Sequence, residues 1–270
     1  MIRTLWYSLE AVHAMIYFAP QADSRYAAAG LDRPGGYFAS RAAALGEAGP
    51  EVVIATFYNF NPDLVRACVP RVWETVTPRQ MLELRLAAAD EALKPILPGD
   101  LEEITGLARR AAERSTEMLH GRTLFAAHAS LPWPDETHLR LWHAQTLLRE
   151  FRGDGHLAAL LKHNLTGIEA LVLHAAEGAV PAETLRKTRA WSEEKWAETA
   201  EDLRSRGLIG ENHLLTDAGR ALRQSIEDET DAMNAAAYDV LSEQEKQRYV
   251  ELAAPLSKAV VAAGLIPGRR

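Results

Sequence analysis

The sequence has a single cysteine, Cys68, among 270 residues. One thiol excludes an internal disulfide and any zinc cluster built on cysteine, and a buried, inert side chain accounts for it. No run approaches the eighteen or so apolar residues that a membrane-spanning helix needs. The opening MIRTLWYSLEAVHAMIYFAP lacks the unbroken apolar core and small-residue cleavage site of a secretion signal, so a cytoplasmic location is expected. Basic charge is short as well. The 30 Lys and Arg face 37 Asp and Glu, a formal charge of −7, which leaves no general basic surface for nucleic acid or an anionic membrane. HExxH, GxSxG, a Walker loop and GxGxxG are all missing, and with them the usual signatures of zinc protease, α/β-hydrolase, P-loop and dinucleotide chemistry. His138 and His143 are five apart, a spacing that points them in different directions on a helix, so no metal is expected. No cofactor is specified, and haem ligation by one of the nine histidines stays open.

What remains is helical periodicity in a chain that is 47% hydrophobic, enough for a substantial core. Leu5, Leu9, Val12 and Ile16 repeat at helical spacing up to Pro20. LDRPGG reads as a loop before a helix from Tyr37 to about Leu45. Asn61-Pro62 and Thr77-Pro78 each put a capping residue ahead of a proline at the first helical position. Asp100 caps a further helix, LPWPDE breaks the pattern, and a helix near 136–152 is expected to end at Gly153-Asp154-Gly155. From Thr166 two short helices precede a third that Ser192 caps and Gly207 ends. LIGENHLL then leaves room for two very short strands, Thr216 caps a long helix, and Ser242 with Glu245 forms a capping box at the start of the last one, where Pro255 is expected to introduce a kink.

Residues 166–254 resemble MarR-like winged-helix regulators, through the LRSRGLI turn, the LTDAGRAL helix entry and the LSEQEK start of the last helix. Along nearly the entire chain, GYFASRAAALG, FYNFNP and LRLWHAQTLLREFRGDGH resemble an actinobacterial family of helix-turn-helix proteins. The resemblance implies a winged helix that dimerises through its last helices and puts its third helix, Ser192–Asp202, into the DNA major groove. That stretch holds five acids (Glu193, Glu194, Glu198, Glu201, Asp202) against one base, Lys195. DNA affinity comes largely from Lys and Arg displacing counterions, so a net −4 there disfavours DNA as a partner. Acids at a helix N-terminus also stabilise the helix itself, which accounts for Glu193 and Glu194 without any function.

Three polar constellations are candidates for chemistry. Glu10, His13 and Tyr17 form a titratable strip at the edge of the first helix's apolar face, as a substrate site or a hydrogen-bonded edge. Tyr37 and Arg41 are four apart, and Arg41 calls for an anion, either a substrate carboxylate or an internal acid. Tyr58 and Asn59 precede a capped proline start, as binding residues or as core and turn. The densest cluster runs from His143 and Glu150, on one helix face with Thr146 between them, to Arg152, Asp154 and His156. Asp154 could orient the His156 imidazole for acid–base catalysis, or clasp Arg152.

The expected architecture is all-α: a helical N-terminal region over 1–165 packed on a winged helix-turn-helix with a minimal β-wing over 166–270. The leading functional expectation is a small-molecule ligand in a pocket between these regions. His143, Glu150, Asp154 and His156 are the catalytic candidates there, and His13, Tyr17, Tyr37, Arg41, Tyr58, Asn59 and Arg152 the binding candidates. The alternative is a ligand-responsive, dimeric transcription regulator. Whether the chain is an enzyme stays open at this level.

Overall fold

The computed structural model of the chain describes residues 1–266, and residues 267–270 of the expected second region lie outside them. The described residues form helices α1 (Ile2–Ser8), α2 (Glu10–Ala14), α3 (Pro20–Ala28), α4 (Arg33–Ala42), α5 (Pro50–Phe57), α6 (Pro62–Thr75), α7 (Pro78–Leu93) and α8 (Glu102–Ser115). They continue with α9 (Thr123–Ala129), α10 (Thr137–Lys162), α11 (Gly167–Ala176), α12 (Ala182–Thr188), α13 (Glu193–Ser205), α14 (Asp217–Ala235) and α15 (Glu243–Ala262). The chain is thus mainly helical. No strand occurs among the described residues. Where two short strands were expected, Ile209 and Leu215 make one isolated antiparallel bridge.

The chain divides into two compact units: residues 1–48, 71–154 and 231–266 form the first, and residues 49–70 with 155–230 the second. In the first, Leu5 of α1, Leu9 at the break, Val12 of α2, Leu147, Leu148 and Phe151 of α10, and Tyr249 and Leu256 of α15 share one apolar core. The apolar face of α15 is covered by α1, α2 and α8 of its own chain. Pro255 lies inside α15, which continues to Ala262.

Local chemistry sets most helix starts. Thr77, Thr166 and Ser242 each close a reciprocal capping box with Gln80, Glu169 and Glu245, and Ser192 accepts the Lys195 N–H. Three expectations need correction. The first helix is interrupted at Leu9 (φ −110°, ψ 3°), so α1 and α2 are separate and Met15–Tyr17 is a 3₁₀ turn. LDRPGG is not a loop: Asp32 accepts the Gly35 N–H at 2.7 Å and starts α4 at Arg33. Glycine leaves room there: a Cβ on Gly36 would lie 3.0 Å from the Tyr26 ring, which would have to shift by a few tenths of an ångström. Finally, Gly153 and Gly155 do not interrupt α10. Each costs the helix about 1 kcal/mol relative to alanine, but burial of Leu147, Leu148, Phe151, Ala159 and Leu160 along the same helix outweighs that cost.

In the second unit, Tyr58 ends α5 with φ +58°, and its hydroxyl donates to the Leu165 carbonyl. The chain then doubles against the start of α11. A Cβ on Gly167 would lie 2.0 Å from the Tyr58 carbonyl oxygen. The backbone N–H of Asn61 donates to Arg189 O (3.0 Å), and Trp191 Nε1–H donates to Asn59 O (2.9 Å), which fastens residues 59–61 to the turn after α12. Gly167→Ala should therefore destabilise the protein by at least the ~1–3 kcal/mol typical of overpacking. Urea unfolding checks this, and a midpoint equal to that of the wild type would contradict the close approach.

Candidate functional site

The first unit contains a cavity of about 510 Å³, walled by α7, α9, the Leu131–Pro134 segment and the first turns of α10. Leu82, Leu86, Leu131, Pro132, Trp133 and Trp142 supply apolar and aromatic walls. Into it project Arg85, His128 and His143, each at most 6% exposed.

Arg85 occupies the buried stripe of α7, in register with Met81, Ala88, Ala89 and Ala92. Its Nη1–H donates to the Ser40 carbonyl at 3.0 Å, and its guanidinium carbon stands 5.1 Å from the Trp142 ring centroid. Its Nε and Nη2 are buried without a hydrogen-bond partner, and so are His128 Nε2, His143 Nε2 and Trp142 Nε1. The His143 ring meets Trp133 edge-on, with centroids 4.8 Å apart. Burial, reinforced by Arg85, pushes His128 down to about 3 and His143 down to about 4. Both imidazoles are neutral near pH 7, so each can accept or donate one hydrogen bond.

Behind Thr146, which also lines the cavity, lies a chain of buried polar groups. The Thr146 hydroxyl donates to Trp142 O at 2.9 Å, so it accepts from His13 Nδ1–H, also at 2.9 Å. That fixes the His13 tautomer and leaves its Nε2 to accept the Tyr17 hydroxyl at 2.8 Å. Burial, with Arg149 and Arg85 adding to it, holds His13 well below the ordinary histidine value. Alongside, Glu150 pairs with Arg149 (3.0 Å) and Arg41 (3.7 Å). Burial would raise Glu150, but Arg149 and Arg41 outweigh it and carry it to about 2.

The sequence-derived candidates are thus partly brought together. His13 meets Tyr17, and Arg41 Nη1–H donates to the Tyr37 hydroxyl at 3.1 Å. The acid near Arg41 is internal: Glu150. His143 lines the cavity, whereas Glu150 is not among the lining residues and is held by two arginines. The Asp154–His156 pairing and the Arg152–Asp154 clasp are corrected. α10 is continuous, and residues two apart on a helix do not face each other. Asp154 Oδ2 instead accepts the Phe125 N–H at 3.0 Å and caps α9, and Arg152 pairs with Asp231 at 2.9 Å. His156 belongs to the second unit, where its Nδ1 meets Thr230 Oγ1 at 3.0 Å and it lines a cavity of about 260 Å³ with Tyr58 and Asn59. Sequence reasoning missed Arg85, His128, Trp133 and Trp142. The one signal for Arg85 was a charged residue inside the apolar stripe of α7.

The short helices α11, α12 and α13 follow one another in the second unit, and Thr166 and Ser192 cap the first and third of them, a succession that fits a helix-turn-helix protein. The chain belongs to a helix-turn-helix family, whose model matches residues 2–267. No curated protein and no solved structure matches it. No helix among the described residues is long and apolar enough to cross a membrane.

The buried groups make stability depend on pH with a definite sign. Between about pH 4 and 6 the unfolded chain holds protons on His128 and His143 that the folded chain largely excludes, and burial acts on His13 in the same direction, so these groups favour folding as pH rises. Asp154 opposes them. Burial outweighs its bond from Phe125 and raises it to about 6, so the stability its proton confers is lost as pH rises through that window. The two histidines outnumber Asp154, and Glu150, held down to about 2 by Arg149 and Arg41, adds to them toward the acid end, so stability falls as pH is lowered. Urea unfolding at pH 4.5, 5.5 and 6.5 should show stability falling steeply with acid; a flat profile would contradict the burial of the imidazoles. At pH 7.5, Asp154→Asn should leave the melting temperature unchanged or raised, because it removes a disfavoured charge and keeps an acceptor for α9. Asp154→Ala should lose about 1 kcal/mol with the cap.

Proposed function

We propose that this helix-turn-helix protein binds a small molecule in the first-unit cavity. The observation that carries the reading is the set of buried polar atoms without partners on Arg85, His128, His143 and Trp142, all residues of an otherwise apolar wall. Leaving such a group unsatisfied costs about 1–3 kcal/mol, and more for a charged one, so several on one cavity fit a site that a bound molecule completes. Binding is favoured over acid–base catalysis by the placement of the other candidates. Glu150 is locked between arginines, Asp154 caps a helix, and His156 lies in the other unit. His143 remains as a ligand contact, with Tyr17 and His13 acting through Thr146.

Membership of a helix-turn-helix family is compatible with a second reading, a DNA-binding regulator, and the resemblance of residues 166–254 to MarR-like proteins extends it to a ligand-responsive one on a winged-helix scaffold. The charge of α13 weighs against tight DNA binding. Its five acids are exposed, while Lys195, Arg204 and Arg206 are engaged by Glu198, Glu201 and Asp202, and Arg186 by Glu193. The homodimer rests on the resemblance to MarR-like regulators, since the apolar face of α15 is covered within the chain.

The test of the leading reading is a filled cavity. Leu82→Trp should abolish ligand-induced thermal stabilisation by compounds that raise the wild-type melting temperature, while circular dichroism stays native. Retained stabilisation would place the ligand elsewhere. Promoter-length duplex DNA should bind no more tightly than roughly 10⁻⁴–10⁻⁶ M near physiological salt. A nanomolar complex with one operator would promote the regulator.

A further inference from the structure

We infer that the ligand of this cavity is a planar aromatic monocarboxylate, its carboxylate clasped side-on by Nε and Nη2 of Arg85. The inference rests on the small-molecule reading above and deepens it.

Arg25, Arg66, Arg223 and Arg248 each hold a glutamate with the same pair of nitrogens, Nε and Nη2, at distances between 2.5 and 3.2 Å. This fork presents two parallel N–H donors that match the two oxygens of a carboxylate. In Arg85 the third nitrogen, Nη1, is bound to the Ser40 carbonyl, which anchors the guanidinium, while the fork itself is buried and without a partner. No acidic side chain among the described residues pairs with Arg85, which is 2% exposed. The neighbouring buried arginines are all neutralised: Arg41 and Arg149 by Glu150, Arg149 also by Glu10, and Arg152 by Asp231. One positive charge is therefore left at the cavity.

That count selects a monoanion. The other lining cation, Arg79, is exposed and paired with Glu83, so a second negative charge would have no new cation to meet. The walls select the remainder of the molecule. Two indoles, two prolines and three leucines leave flat apolar surface, and Arg85 itself stands over the Trp142 ring. His128 Nε2 and His143 Nε2 suit a ring substituent such as a hydroxyl, which both donates and accepts.

The experiment uses calorimetry on the full chain with naphthalene-2-carboxylate, its neutral carboxamide and 2-naphthyl phosphate. The wild type should prefer the carboxylate to the carboxamide by tenfold or more, and to the phosphate as well. Arg85→Met should remove that preference, because it keeps the stem and deletes the fork, while still binding the carboxamide as proof of an intact cavity. Leu82→Trp should abolish binding of all three. Equal binding of carboxylate and carboxamide, or a preference that survives Arg85→Met, overturns the carboxylate clasp and leaves the small-molecule reading standing. A preference for the phosphate overturns the monoanion. Binding that survives Leu82→Trp, or none by any probe at millimolar concentration, overturns both.

Discussion

The first unit is organised by the need to bury a row of polar side chains along one helix. Thr146, Glu150, Arg152 and Asp154 of α10 are all buried, and each is met from a different part of the chain: His13 of α2, Arg41 of α4, Asp231 of α14 and the backbone of α9. Two of these contacts, Glu150–Arg41 and Arg152–Asp231, are ion pairs, and removing one partner of a buried pair costs about 3–5 kcal/mol, so they help fix where the neighbouring helices sit. The cavity inherits that precision. α9, capped by Asp154, brings His128, while α10 itself brings Trp142 and His143. α7 brings Arg85, held to the last turns of α4 through the Ser40 carbonyl.

Much of this was legible wherever the determining partners are close in sequence. The capping boxes at Thr77, Thr166 and Ser242 span four residues each, and the His13–Tyr17 and Tyr37–Arg41 contacts are one helical turn long. Misreadings arose where tertiary packing overrides a local signal. Glycines at 153 and 155 looked like a break, but a helix buried on this scale tolerates them. Asp154 reads locally as a partner for His156 or Arg152, and it instead accepts a backbone N–H of α9, 29 residues earlier. Arg85 was illegible as a site because its partners are Ser40, 45 residues before it, and Trp142, far beyond it in sequence.

The second unit shows how a family's fold and its charge can part company. Helix α13 is well made: Ser192 caps it, acids occupy its first turn, and Leu203 is buried beneath it. Yet its cations are engaged by acids of the same unit, so the surface it shows is negative. A fold hosts many activities, and the decision among them lies with the side chains it presents. Here those side chains are mostly acidic, while the first unit buries Arg85 with no acidic partner among the described residues.

Trp142 lies against two groups of unlike character. Its indole stacks on the His13 imidazole, with centroids 6.4 Å apart and planes within 11°, and it carries the Arg85 guanidinium over its ring. The electronic states of an indole respond to charge a few ångströms away, and the charge nearest this one has no internal counter-ion. Neutralising Arg85 would alter the field on the ring without any backbone movement. Occupancy of the cavity would then be written into the tryptophan emission of the protein itself.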